Sequence, residues 1–213
     1  MKLFQRARPD PAPARPRLHI GCGQEAIPGW VNIDSRELPG VSHVLDVRQG
    51  LPFEEAAAIY AEHFLEHLSI EEGLAFLKDC RRALAPDGVL RLSTPNLDWV
   101  YATHYRLRQE LSESDRVLDC LRLNRAFHGW GHQFLYNGSM LSAALRACGF
   151  GEVRFHRYGE SSVEGLRGLE RHQTWEDTEE LPHVIIVEGS GRARPVPLPD
   201  KMVEEFLEAI HTR

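Results

Sequence analysis

The chain has 213 residues, 42% hydrophobic and 26% charged, with a net charge of −6; it is long enough for one domain with a real core and at most a small appendage. No apolar run approaches the roughly 20 residues needed to span a bilayer, and the acidic balance argues mildly against a dedicated nucleic-acid binder. Its four cysteines (Cys22, Cys80, Cys120 and Cys148) are widely spaced, which points to reduced, mostly buried thiols rather than a disulfide framework or a zinc site.

Residues 1–17 are rich in Arg and Pro and lack the apolar stretch of a signal peptide, so they read as a flexible lead-in to a cytoplasmic protein. Leu18-His19-Ile20-Gly21-Cys22-Gly23 then reads as a buried strand entering a glycine turn. Val31-Asn32-Ile33-Asp34 is a second strand ending in a carboxylate. Glycines let the backbone turn and approach a ligand where a side chain would collide, and a carboxylate can accept both hydroxyl hydrogens of a ribose. The pair suggests a nucleoside-containing cofactor. A third strand is expected over His43 to Val47, with Asp46 near its end, and a fourth over Ala58 to Ala61, running into Glu62 and His63.

Ser69 and Glu72 form a capping box for a helix whose apolar stripe includes Ile70, Leu74, Leu77 and Leu84. Pro86-Asp87-Gly88 should end it in a turn before a fifth strand, Val89 to Thr94. Asn96 caps a helix to about Gln109, and Ser112 with Asp115 starts another to about Leu123. His128 to Tyr136 is too rich in glycine and aromatic residues for a regular helix. Asn137 caps a further helix that ends at Gly149. Glu152 to Tyr158 alternates as a sixth strand, residues 159 to 182 form a long polar connection, and His183 to Glu188 is a seventh strand. The domain is thus placed at 18–189, a Pro-rich linker at 190–200 and an amphipathic helix at 201–213, docking on its own domain. Alternation of strands and helices indicates an α/β fold with a mainly parallel sheet. Such sheets bind ligands beyond the carboxyl ends of their strands, where Cys22, Asp34, Asp46 and His63 all lie.

Four stretches, in order, resemble the class I S-adenosylmethionine-dependent methyltransferases, and within them a small bacterial type-11-like group. They are Leu18 to Gly23 with Gly29 to Asp34, Tyr60 to Leu68, Arg82 to Pro95, and His132 to Phe150. The resemblance implies a Rossmann-like sheet of about seven strands whose last two form an antiparallel pair. It implies S-adenosylmethionine as cofactor, with Gly21, Cys22 and Gly23 beneath its methionine part and Asp34 on the ribose. Asp46 and Val47 would lie at the adenine, and Glu62 and His63 would border the sulfonium. The third glycine of the family motif is missing, and only eight residues, counting Gly23, separate it from Val31. A parallel crossover normally takes a dozen or more, so the first crossover must be shortened, its helix vestigial or replaced by a loop.

Methyl transfer requires alignment, water exclusion and, for a hydroxyl acceptor, a base; His63, His67, His128 and His132 are the candidates. The expected reaction is methylation of an oxygen or nitrogen on a small-molecule or glycan-type acceptor. The alternative is an inactive methyltransferase-like interaction module. Two other chemistries fit less well. His63-Phe64-Leu65-Glu66-His67 matches the H-x-x-E-H pattern of zinc peptidases, but those histidines must share a helical turn and the helix begins only at Ser69, so no metal is expected. A nicotinamide fold needs a long helix after its glycines and an acid roughly 20 residues on, whereas Asp34 follows Gly23 by eleven. The sequence carries no signal for oligomeric state.

Overall fold

The computed structural model describes residues 15–104, 111–172, 178, 180–198 and 200–211. Seven strands form one sheet: β1 (Arg17–Ile20), β2 (Val31–Asp34), β3 (His43–Val44), β4 (Ala56–Glu62), β5 (Leu84–Pro95), β6 (Phe150–His156) and β7 (Val184–Arg192). Their spatial order is β3-β2-β1-β4-β5-β7-β6. The first five are parallel, and β7 runs antiparallel to both β5 and β6. The expected architecture is therefore present, with the order reversing between β1 and β4. The helices are α1 (Ile70–Ala83), α2 (Leu97–His104), α3 (Glu113–His128), α4 (Gly138–Ala147) and α5 (Asp200–His211). None among the described residues is long and apolar enough to cross a membrane.

Parallel central strands must be apolar on both faces, because helices or loops cover each. Successive residues of β4 point to opposite faces, and they belong to different cores. Ile59 joins the main cluster with Leu18, Ile20, Ile33, Phe76 and Leu77. Ala58 and Tyr60 join a smaller one with Ile27, Trp30 and Leu166. That second core stands where a first crossover helix would pack. Residues 21–30 form turns and irregular chain with no helix, and buried Asn32 organises them. Its Oδ1 accepts from the Ile27 amide at 2.8 Å, and its Nδ2 donates to the Ile27 carbonyl at 3.0 Å and the Trp30 carbonyl at 3.2 Å. One amide side chain thus satisfies backbone groups that a helix would have satisfied internally.

Several boundaries differ from expectation for identifiable reasons. β3 stops at Val44 because Asp46 caps a 3-10 turn, Val47–Gln49, by accepting from the Arg48 amide. β5 begins directly after α1, so Pro86-Asp87-Gly88 lies inside a strand rather than in a turn. The register shift between Ala56 and Ala58 absorbs it, and Gly88 is needed there, since a Cβ would fall 2.6 Å from the Ala56 carbonyl oxygen. α3 continues past Leu123 to His128, and Gln109, the expected end of α2, lies outside the described residues. β6 begins at Phe150, two residues early, and β7 runs through Arg192, so residues 190–192 belong to the sheet. In α5, Leu207 packs against the main core and Phe206 meets Phe134 edge-on at 5.8 Å.

Candidate functional site

Three clefts open near the carboxyl ends of β1, β2, β4 and β5. The first, about 390 Å³, is lined by Gly21, Asp34, Arg36, Asp46, Val47, Arg48, His63, Phe64 and His67 together with apolar Ile20, Ile33, Leu45 and Leu68. Asp34 Oδ2 accepts from the Gly23 amide at 2.9 Å, and Oδ1 accepts from the Arg36 amide and Nε at 3.0 and 3.1 Å. Burial opposes ionisation of Asp34, but the Arg36 and Gly23 bonds prevail and hold its carboxyl below its ordinary value. Asp46 repeats the unit: its Oδ1 accepts from the Arg48 amide at 3.0 Å and Nε at 2.9 Å. Here the Arg48 bonds also lower the carboxyl. The sequence signal for both is an Asp-x-Arg step at the end of β2 and just beyond β3, which the reading by strand ends alone passes over.

Of the residues expected at the cofactor, Gly21, Asp34, Asp46, Val47 and His63 do line this cleft. The other three do not. Cys22 is buried, its Sγ 3.7 Å from the Gly23 carbonyl, and Gly23 contributes through its bond to Asp34. Glu62 faces elsewhere: its carboxylate accepts from Tyr60 Oη at 3.1 Å, the Arg171 amide at 2.8 Å, the His172 amide at 3.1 Å and His172 Nδ1 at 2.8 Å. Burial would raise its pKa, but these bonds, His172 foremost, bring it down to about 2. A carboxylate so engaged anchors the connection after β6.

His63 follows the last residue of β4 with φ +46°, a left-handed conformation that costs a non-glycine residue of order 1–3 kcal/mol and collects at functional sites. Its amide still donates to the Ser93 carbonyl at 2.9 Å, which keeps the chain registered on β5 while it turns. His63 Nδ1 donates to Glu66 Oε1 at 3.0 Å, and Glu66 Oε2 accepts from Thr94 Oγ1 at 3.0 Å. Burial works against the imidazolium, yet the Glu66 bond and the charges of Glu66 and Glu62 outweigh it and raise the His63 pKa.

The second cleft, about 500 Å³, is lined by His63, Trp99, His104, Arg122, Arg125, Trp130, His132 and His183, with Val100, Leu135 and Val184 among its apolar members. The third, about 370 Å³, lies between the other two and is lined by His63, Glu66, His67, Pro95, Trp130 and His132. Of the four candidate bases, His63, His67 and His132 are thus brought together. His128 is exposed at the end of α3 and lines none of these clefts, because α3 runs on to include it. The second cleft draws on residues 95–135 and on His183 and Val184 at the start of β7, while Arg171 and His172 of the preceding connection are held against Glu62.

No protein-family model and no curated protein sequence matches the chain. Solved structures do match in fold. A S-adenosylmethionine-dependent methyltransferase from Thermotoga maritima, described as a possible histamine N-methyltransferase, aligns with TM-score 0.52 at 14% identity over 84% of this chain and 84% of its own. A S-adenosylmethionine-dependent methyltransferase from Archaeoglobus fulgidus gives TM-score 0.50 at 18% identity over 83% and 86%. A possible exported protein from Bordetella parapertussis gives 0.53 at 17% identity over 84% of this chain, which spans only 63% of its length. Seven strands in this order, the antiparallel last pair and these matches together identify the fold as that of the class I S-adenosylmethionine-dependent methyltransferases.

Proposed function

We propose that the chain is a S-adenosylmethionine-dependent methyltransferase, acting on an oxygen or nitrogen of a small-molecule or glycan-type acceptor in the cytoplasm. One observation carries this reading: His63 lines all three clefts, so the nucleoside-type cleft and the aromatic cleft meet at a single imidazole. The first cleft fits the cofactor chemically. It offers a carboxylate held ionised at a strand end, an apolar wall from Ile33, Leu45 and Val47, and a glycine turn whose missing side chain makes room for the Phe64 ring that lines the same cleft. When bound there, S-adenosylmethionine supplies a methyl group already activated by its sulfonium. Asp34 would accept from the ribose hydroxyls and Asp46 from the adenine amine. Trp99 and Trp130 would hold the acceptor and exclude water. With Nδ1 committed to Glu66, His63 would receive the acceptor's proton on Nε2, an arrangement in which a carboxylate fixes tautomer and ring direction.

A second reading, a methyltransferase-like binding module without catalysis, is favoured by one feature: Asp34 and Asp46 are each already engaged by their own arginine. Arg36 is exposed, however, and can give way to a ligand. Thermal-shift titration with S-adenosylhomocysteine beside NAD separates the readings. Ligand at a hundred times its dissociation constant adds about 2.7 kcal/mol, or roughly 5–10 °C for a chain of this size. We expect that shift with S-adenosylhomocysteine, none with NAD, and its loss in Asp34→Ala. No shift at millimolar S-adenosylhomocysteine would sink the enzyme reading.

A further inference from the structure

We propose that Glu66, His67 and His132 form a binding site for a zinc-type divalent cation, in the third cleft. One ligand atom from each lies within 4.8 Å of the other two. The trio joins two chain segments that are held against each other. The Gln133 amide donates to the Glu66 carbonyl at 2.7 Å, and Gln133 Nε2 donates to the His67 carbonyl at 2.6 Å. This clamp brings His132 over the 3-10 turn Leu65–His67, with the His67 and His132 rings 5.2 Å apart and steeply inclined.

The surroundings are those of a metal site. His132 Nδ1 donates to the Ala126 carbonyl at 2.8 Å, which fixes the tautomer and leaves the Nε2 lone pair as the ligand. Metal-ligating histidines are usually oriented in this way, and ligating carboxylates are themselves hydrogen-bonded. Glu66 is fully buried and accepts from His63 and Thr94, both outside the trio. Its hydrogen bonds therefore orient the carboxylate without using the two imidazoles that converge on it. Two imidazoles and one carboxylate make the nitrogen–oxygen set that suits zinc, and three protein ligands leave a coordination position open to the cleft. Tetrahedral bonds of about 2.0–2.2 Å set ligand atoms roughly 3.3 Å apart. Modest rotation of the half-buried His67 and His132 would close the trio that far. The H-x-x-E-H sequence contributes here through its last two residues only. Its first histidine stays outside the trio, and the third ligand arrives from a distant loop.

The site stands or falls independently of methyl transfer. Full-length, tag-free protein stripped with a chelator and titrated calorimetrically with zinc chloride should bind one equivalent. Cobalt(II) in place of zinc should give ligand-field bands without the thiolate charge transfer that coordination by exposed Cys120 would produce. His67→Ala and His132→Ala should each weaken zinc binding by about tenfold or more with unchanged circular dichroism. His104→Ala, in the neighbouring cleft, should leave it unaltered. No saturable uptake by the wild type, a thiolate band with cobalt, or uptake undiminished in both histidine variants overturns the proposal. Should either variant lose its fold, the wild-type stoichiometry and cobalt spectrum decide alone. S-adenosylhomocysteine titration reports on the first cleft, so failure here and failure of the methyltransferase reading are distinguishable.

Discussion

Gly21 and Gly23 both sit at positive φ, +63° and +53°, but their surroundings differ. A Cβ on Gly21 would fall 2.5 Å from Phe64 Cδ2, whereas one on Gly23 would meet nothing within 4 Å. Phe64 also packs edge-on against Phe76 at 5.2 Å, so it cannot retreat cheaply. Gly23→Ala should therefore cost only the left-handed conformation, about 1 kcal/mol. Gly21→Ala should cost about 2–3 kcal/mol, adding displacement of the Phe64 ring. Urea unfolding of the two variants measures the difference, and equal losses would show that Phe64 yields freely. At this scale the sequence is informative where a residue acts through its own backbone or strand position. Gly21 and Asp34 are legible for that reason. Glu62 is not, because the groups that fill its carboxylate lie 109 and 110 residues further on.

The connection between β6 and β7 shows how one element is held without regular structure. Arg91, fully buried on β5, donates through Nε to Glu170 at 2.6 Å and through Nη1 to Glu188 at 2.7 Å. Ser161 Oγ donates to Glu188 as well, at 2.6 Å, and the Gly159 amide to Glu170 at 3.2 Å. Removing the shared cation would leave two buried carboxylates facing each other, so Arg91→Ala should lose about 3–5 kcal/mol in denaturant unfolding. Glu62 is the second anchor, and its effect depends on pH. Its folded pKa of about 2 lies below the ordinary 4.5. The folded state therefore binds the proton more weakly than the unfolded chain. Its contribution is complete above pH 4.5 and disappears as pH falls from there towards 2, at most about 3 kcal/mol. Hydrogen-exchange protection factors in residues 159–172, corrected for the intrinsic pH dependence of amide exchange, should fall through that window in the wild type. In Glu62→Gln they should be low already at neutral pH and change little on acidification. An unchanged wild-type profile would refute the anchoring role. Composition marks this segment as a polar connection, but ties across the sheet leave no periodic trace in it.

Across the whole molecule, α5 closes the main core from outside, with Leu207 against it and Phe206 on Phe134. Deleting residues 200–213 should cost the burial of one leucine and part of a phenylalanine, about 2 kcal/mol. That corresponds to a melting temperature lower by roughly 4–8 °C, and an unchanged melting temperature would show that α5 contributes nothing. The sequence alone determined the order of strands and helices, the shortened first crossover, the capped start of α1 and the carboxylate ending β2. Each follows from burial periodicity, turn residues or chain length, which act between near neighbours. Tertiary structure decided which distant groups meet. It turned Glu62 away from the first cleft, left His128 outside and brought His132 to Glu66 and His67. Such meetings depend on how a twisted sheet stacks its connections, and many small packing and hydrogen-bond terms set that together. No local pattern records their sum.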